Sequence, residues 1–174
     1  MPTIEVNRAP VMTLWAAVVA ERLGFDRDEA LTLGKTVAGL NAQAKGQHLG
    51  IFEPGEKKSE QARGQPEGEQ FFVELMGRSV PVINSPDGVR ATAKGSPVQP
   101  PSVQRYLEGK FGAALPEVRQ AMEELAAAFP PDELEERAYR LYIKFRPQIP
   151  AGTQGWGAQG QLDTDRIRSL AGQP

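Results

Sequence analysis

The segment from Ala9 to Ala20 constrains this chain most, because apart from Thr13 it is apolar throughout. At helical spacing, Val11, Leu14, Trp15, Val18 and Val19 form one stripe, and Met12, Ala16, Ala17 and Ala20 fill the faces between. A helix apolar nearly all round has no side to give to water, so it is central in its domain or lies in a subunit interface. It is too short for a membrane, since a span needs about 18–20 apolar residues. Arg8 before the run gives the look of a secretory signal, but Glu5 stands where that signal should be positive and Pro10 opens the apolar run. The pattern also runs on into a second helix. The segment is therefore read as part of the fold, with no membrane partner, and the lack of cysteine fits a reducing cytoplasm.

The flanking residues punctuate this helix and the next. Pro10 suits a first turn, where its missing N–H costs nothing, and Gly24 supplies the stop. Asp26 followed three residues later by Glu29 is a capping box. Leu33, Val37 and Leu40 mark the buried stripe of the second helix, while Gly34, Ala38 and Ala42 lie four apart and allow another helix to approach closely. Together these residues predict a helical hairpin over 9–46, closed by Gly46.

Glycine and proline, at 18 and 15 residues, cluster in the breaks between patterned segments. Residues 53–69 alternate them with charges and read as a mobile loop or linker. Alternation around Phe71, Val73 and Leu75, the run Ser79 to Asn84, the turn Ser85-Pro86-Asp87-Gly88 and the run Val89 to Ala93 predict a β-meander over 70–93. Pro81 cannot donate to a ladder and should lie on an edge or at a bulge.

A helical part over 101–171 follows, with helices from about Ser102 to Phe111, from Pro116 through Phe129, and from Pro131 to just before Pro147. The face of the first of these is Val103, Tyr106, Leu107 and Phe111. A Gly/Pro-rich loop over 147–161 surrounds Trp156, and a last helix spans about Thr164 to Ala171. The chain is read as a single domain over 1–174. Its class is α+β, mainly helical: about six helices with one small antiparallel three-stranded meander.

Catalytic chemistry lacks its usual parts. With one histidine and no cysteine, multi-histidine metal sites and thiolate nucleophiles are excluded, and neither a nucleophile elbow nor a P-loop is present. Gly155-Trp156-Gly157-Ala158-Gln159-Gly160 matches a dinucleotide fingerprint in letters only, because a helix and two prolines precede it instead of a strand. Asp163 and Asp165 read as a helix cap rather than a cation site. No cofactor and no metal are expected, and the balance leans away from an enzyme.

The hairpin has the Ala20, Gly24, Leu33 spacing of a helix-turn-helix, but its recognition positions Asp26, Arg27, Asp28 and Glu29 are mostly acidic and would face phosphates. Residues 35–52 differ: they hold no Asp or Glu, and they do hold Lys35, Asn41, Gln43, Lys45, Gln47 and the sole histidine, His48. Such groups donate to phosphates and bases, although a solvated helix end explains them as well. Farther on, Trp156 beside Arg146 has the makings of a stacking or anchoring site.

The candidate binding residues are thus Lys35, Asn41, Gln43, Lys45, His48, Arg146 and Trp156. The reading is a binding or assembly module. Its partner is either a second copy, through the apolar helix 9–23, or nucleic acid, which the net charge of −2 does not favour. The alternative is a small enzyme or ligand-binding protein with a pocket near the 147–161 loop.

Overall fold

Helix α1 (Arg8–Arg22) answers the question posed by its composition, since every residue from Pro10 to Ala20 is buried within the chain itself. The structure is a computed structural model and describes residues 3–43, 69–86, 88–93, 96–147 and 159–172. α1 is its central helix, packed on α2 (Arg27–Gln43), α4 (Leu115–Ala127) and α5 (Pro131–Phe145). The expected oligomer through helix 9–23 is therefore not supported: its apolar surface is already spent on the chain's own helices. Among the described residues no helix is long and apolar enough to cross a membrane.

Trp15 sits at the middle of this packing. Its indole N–H donates to the Ala138 carbonyl on α5 at 2.9 Å, which satisfies the one polar atom of a fully buried ring. The ring meets Phe145 edge-on, with centroids 5.3 Å apart. On the opposite side, Gly34 of α2 approaches so closely that a Cβ there would stand 2.3 Å from the Thr13 carbonyl oxygen.

The capping box forms as expected. Asp26 accepts from the Glu29 N–H at 2.8 Å, and Glu29 accepts from the Asp26 N–H at 2.9 Å. Glu29 then reaches farther, to the Val89 N–H, and Thr32 one turn on accepts from the Ala91 N–H at 3.1 Å. Both amides belong to β4 (Gly88–Ala93). Two side chains of a helix thus satisfy donors of a strand that its sheet leaves unpaired.

That sheet has the order β2-β3-β4-β5, with β2 (Gln70–Leu75), β3 (Arg78–Ser85) and a two-residue β5 (Ser96–Pro97) added to the expected meander. Met76 and Gly77 close the first hairpin with φ of 52° and 78°, the sense a tight two-residue turn requires. Val73, Leu75, Val80, Val82, Val89 and Ala91 form the buried face, and Phe72 lies on the outer one, 60% exposed. Pro81 is neither at an edge nor at a bulge. It pairs with Phe72 on one side, while the ladder to β4 runs only as far as Val82 opposite Ala91. The ladder stops where proline has no N–H to give, and the Thr92 hydroxyl donates to the Pro81 carbonyl at 3.3 Å instead.

A second sheet was not expected. The N-terminal arm is strand β1 (Thr3–Asn7), and it pairs antiparallel with β6 (Gln159–Asp163), which lies partly within the expected 147–161 loop. The fold class α+β stands, with antiparallel sheets of two and four strands in place of one three-stranded meander. Among the described residues the helices are five long ones, counting α3 (Pro100–Phe111), and the short α6 (Thr164–Ser169), which Asp163 caps through the Asp165 N–H at 2.9 Å. Arg119 of α4, 8% exposed, pairs with Glu21 of α1 and with Glu123, and Arg22 donates to the Phe129 carbonyl at 3.0 Å. These contacts tie the C-terminal helices back to the hairpin.

Candidate functional site

Two of the expected binding residues, Lys35 and Arg146, lie in well-described surroundings. Of the others, Asn41 and Gln43 are on the last turn of α2 with side chains outside the described residues, as are Lys45, His48 and Trp156 altogether. The loop over 53–69, all but its last residue, and most of the loop over 147–161, with the pocket expected there, also fall outside.

Lys35 projects from α2 toward α3. Its ammonium stands 4.0 Å from the centroid of the Tyr106 ring, and Lys110, one turn farther along α3, reaches the same ring at 6.0 Å. The α3 stripe explains the placement: Val103, Leu107 and Phe111 are buried, while Tyr106 at the margin of that stripe is only half-buried. The expected face thus holds, with Tyr106 at its margin, and the half-buried ring is a platform for cations. Lying against the ring lowers the Lys35 pKa through burial first and the Lys110 charge second. Burial raises the Tyr106 pKa. Among the described residues neither lysine forms a salt bridge. Gly39 on α2 and Gly109 on α3 both open onto free space, so no side chain rises beside the patch at those positions.

Arg146 follows the last residue of α5, and its N–H donates to the Tyr142 carbonyl at 2.8 Å. Arg8, the first residue of α1, lies against it: the Arg8 Nε donates to the Pro147 carbonyl at 3.0 Å, and the Tyr142 hydroxyl donates to the Arg8 carbonyl at 3.4 Å. Burial and the adjacent Arg146 charge lower the Arg8 pKa, with Tyr142 opposing them. Buried Tyr142 is pushed up to about 12, mostly by desolvation, against the pull of Arg146 and Arg8.

A groove of about 600 Å³ lies elsewhere, where α3 meets α4, lined by charged and apolar residues alike, among them Arg27, Glu108, Leu115, Pro116, Arg119 and Glu123. Its charge is mixed, and Arg119 is already committed to Glu21 and Glu123. Among the described residues no group of three or more His, Cys, Asp or Glu converges as a metal site.

Sequence reasoning missed Tyr106, Lys110 and Arg8 as site residues. The first pair carried a signal, an aromatic and a lysine four apart at the edge of an apolar stripe. Arg8 carried none, because its neighbour Arg146 comes from the far end of the chain. Compared with known protein families, with curated proteins and with solved structures, the chain matches none.

Proposed function

We propose that the chain is a binding module whose partner is nucleic acid, gripped at the patch formed by Lys35, Tyr106 and Lys110. The observation that carries this reading is the sharing of one half-exposed tyrosine ring by two lysines that have no carboxylate partner among the described residues. Phosphate contacts supply most of the affinity of nucleic-acid binders, and an aromatic platform adds stacking on an unpaired base. Lys35 opens the acid-free stretch 35–52, so the patch continues in sequence into further donors. The net charge of −2 does not favour phosphate, so the reading rests on this local patch.

The test is fluorescence anisotropy of labelled single-stranded and duplex oligonucleotides against the whole chain at low salt. Binding should weaken as salt rises, with a slope of about −0.7 per phosphate neutralised on a single strand. Lys35→Gln combined with Lys110→Gln should flatten that slope, and Tyr106→Leu should weaken single-strand binding more than duplex binding. No binding to either form at low salt would remove this reading.

A further inference from the structure

We infer that strand β2 is a dimerisation edge. It pairs antiparallel with β2 of a second copy of this chain, Phe72 opposite its own counterpart, and joins the two β2-β3-β4-β5 sheets into one continuous sheet.

Every open sheet has two edges, so an unpaired edge alone marks nothing. The chemistry of this one sets it apart. Natural edges are blunted by shortness, proline, lysine or a bulge. The opposite edge of the sheet, β5, follows that rule, with two residues of which one is Pro97. β2 does not follow it: Gln70-Phe71-Phe72-Val73-Glu74-Leu75 holds no proline and no lysine, and its register with β3 runs unbroken. Among the described residues β2 has a strand on one side only. Phe72 is 60% exposed, the most open large apolar side chain among the described residues.

The hairpin turn decides which backbone groups point outward. Leu75 and Arg78 flank the two-residue turn of Met76 and Gly77, so they exchange both ladder bonds. By alternation Val73 and Phe71 also bond to β3, and Gln70, Phe72 and Glu74 aim their N–H and C=O groups out of the sheet. Pro81 agrees with this, because it stands opposite Phe72, where β2 asks for no N–H.

That row is complementary to itself. Three twofold centrings overlap most of the strand, at Phe71, Phe72 and Val73. Centring on Val73 sets the Phe72 ring against the Glu74 carboxylate, and centring on Phe71 carries Glu74 past the start of the strand. Centring on Phe72 places ring against ring and each Gln70 amide against a Glu74 carboxylate, and it pairs every outward N–H and C=O of the three residues. The Ser79 hydroxyl donates to the same carboxylate and holds it on the outer face. On the inner face Phe71 then meets Val73, which extends the apolar layer across the joint. Assembly stops at two copies, since the pair uses the β2 edge of both and β5 is too short to add to. The edge does not rest on the Lys35 patch, which α2 and α3 build.

Light scattering of the whole chain across about 1–100 µM should show a mass that rises toward twice that of the chain and no further. Phe72→Lys removes the ring pair and opposes two ammonium groups, so it should weaken the dimer about tenfold or more. Phe72→Glu should do the same with two carboxylates. Both should keep the parent circular dichroism, because the side chain they replace is exposed. Since position 72 meets itself, an equimolar mixture of the two variants should dimerise again. The inference is overturned if the parent chain stays monomeric across the range or grows into larger particles. It is equally overturned if folded Phe72→Lys dimerises as the parent does, or if the mixture of variants stays monomeric.

Discussion

Glu29 accepts the backbone N–H of Val89 at 2.9 Å, across 60 residues of sequence, while its other carboxylate oxygen closes the capping box on Asp26. One buried carboxylate thus starts helix α2 and covers a strand donor at the same time. Glu29→Ala leaves both N–H groups without this acceptor, and a buried unsatisfied donor costs about 1–3 kcal/mol. Urea denaturation should show a loss of about 2–4 kcal/mol, more than a helix cap alone gives. Glu29→Gln retains one acceptor oxygen but turns an amide donor toward the other N–H, so it should recover only part of that loss. A loss no greater than that of an exposed cap would show that the contact to Val89 contributes nothing.

Two glycines of α2 should respond to alanine in opposite directions. At Gly34 the new Cβ meets the Thr13 carbonyl oxygen at 2.3 Å and the Ala17 nitrogen at 3.0 Å, both backbone atoms that cannot swing aside. Gly34→Ala should therefore push α1 and α2 apart and cost about 2–3 kcal/mol. At Gly39 nothing stands within 4 Å, so Gly39→Ala should stabilise the protein by about 0.5–1 kcal/mol through the unfolded chain and helix propensity. Thermal denaturation of the two variants side by side tests the close approach directly. Equal effects would deny it.

These two cases show what was legible in the sequence and what was not. The capping box and the small Gly34 that lets α1 approach α2 are local patterns, and local patterns are readable. The second bond of Glu29 is not local, and nothing near position 29 announces it. For the same reason the all-apolar α1 left two outcomes open, core or interface, and only its neighbours decide between them. Strand β6 escaped because Gln159, Gly160, Gln161 and Asp163 are poor strand formers, and its pairing partner is the opposite end of the chain. Pro81 was misplaced because the rule that keeps proline out of ladders was applied to the whole strand. In the structure the rule acts only on the side facing β4. Of the candidate site, Lys35 and Arg146 are legible in the sequence as cations, and Lys35 reads as a solvated helix end as well. Their partners Tyr106, Lys110 and Arg8 required the helices to be placed.

Arg119 and Arg168 each touch two carboxylates, yet they should differ in what they contribute. Arg119 is nearly buried, and its pair with Glu21 joins α4 to α1. Arg119→Met keeps the apolar stem and removes the charge, leaving Glu21 partly covered without its partner. Because Glu21 retains some solvent, the loss should fall between the values for exposed and buried pairs, about 1–3 kcal/mol, and should vary little with salt. Arg168, its side chain 29% exposed, bridges Glu117 and Glu124, whose side chains are 46% and 50% exposed. Arg168→Gln should leave the denaturation midpoint unchanged within error, and any small change should vanish at high salt.

Tyr142 makes stability fall at alkaline pH, over a window its own environment sets. Its hydroxyl is pushed up to about 12 by burial, with the Arg146 and Arg8 charges opposing and Tyr139 adding. In an unfolded chain a tyrosine ionises near about 10. Below that pH both states hold the proton, and Tyr142 gives stability no slope. Between about 10 and 12 the native state keeps a proton that the unfolded chain has released, so the native state binds more protons and stability declines as pH rises. The decline should be on the order of 2 kcal/mol over the window. Lysines and Tyr106 titrate nearby, so the informative quantity is the difference between the parent protein and Tyr142→Phe in denaturation runs across this range. The variant should lose less stability over the window, and its tyrosine absorbance titration should lack the last-ionising hydroxyl. An unchanged alkaline slope in Tyr142→Phe would mean that this hydroxyl titrates as it does in the unfolded chain, and that burial between α1 and α5 does not hold its proton.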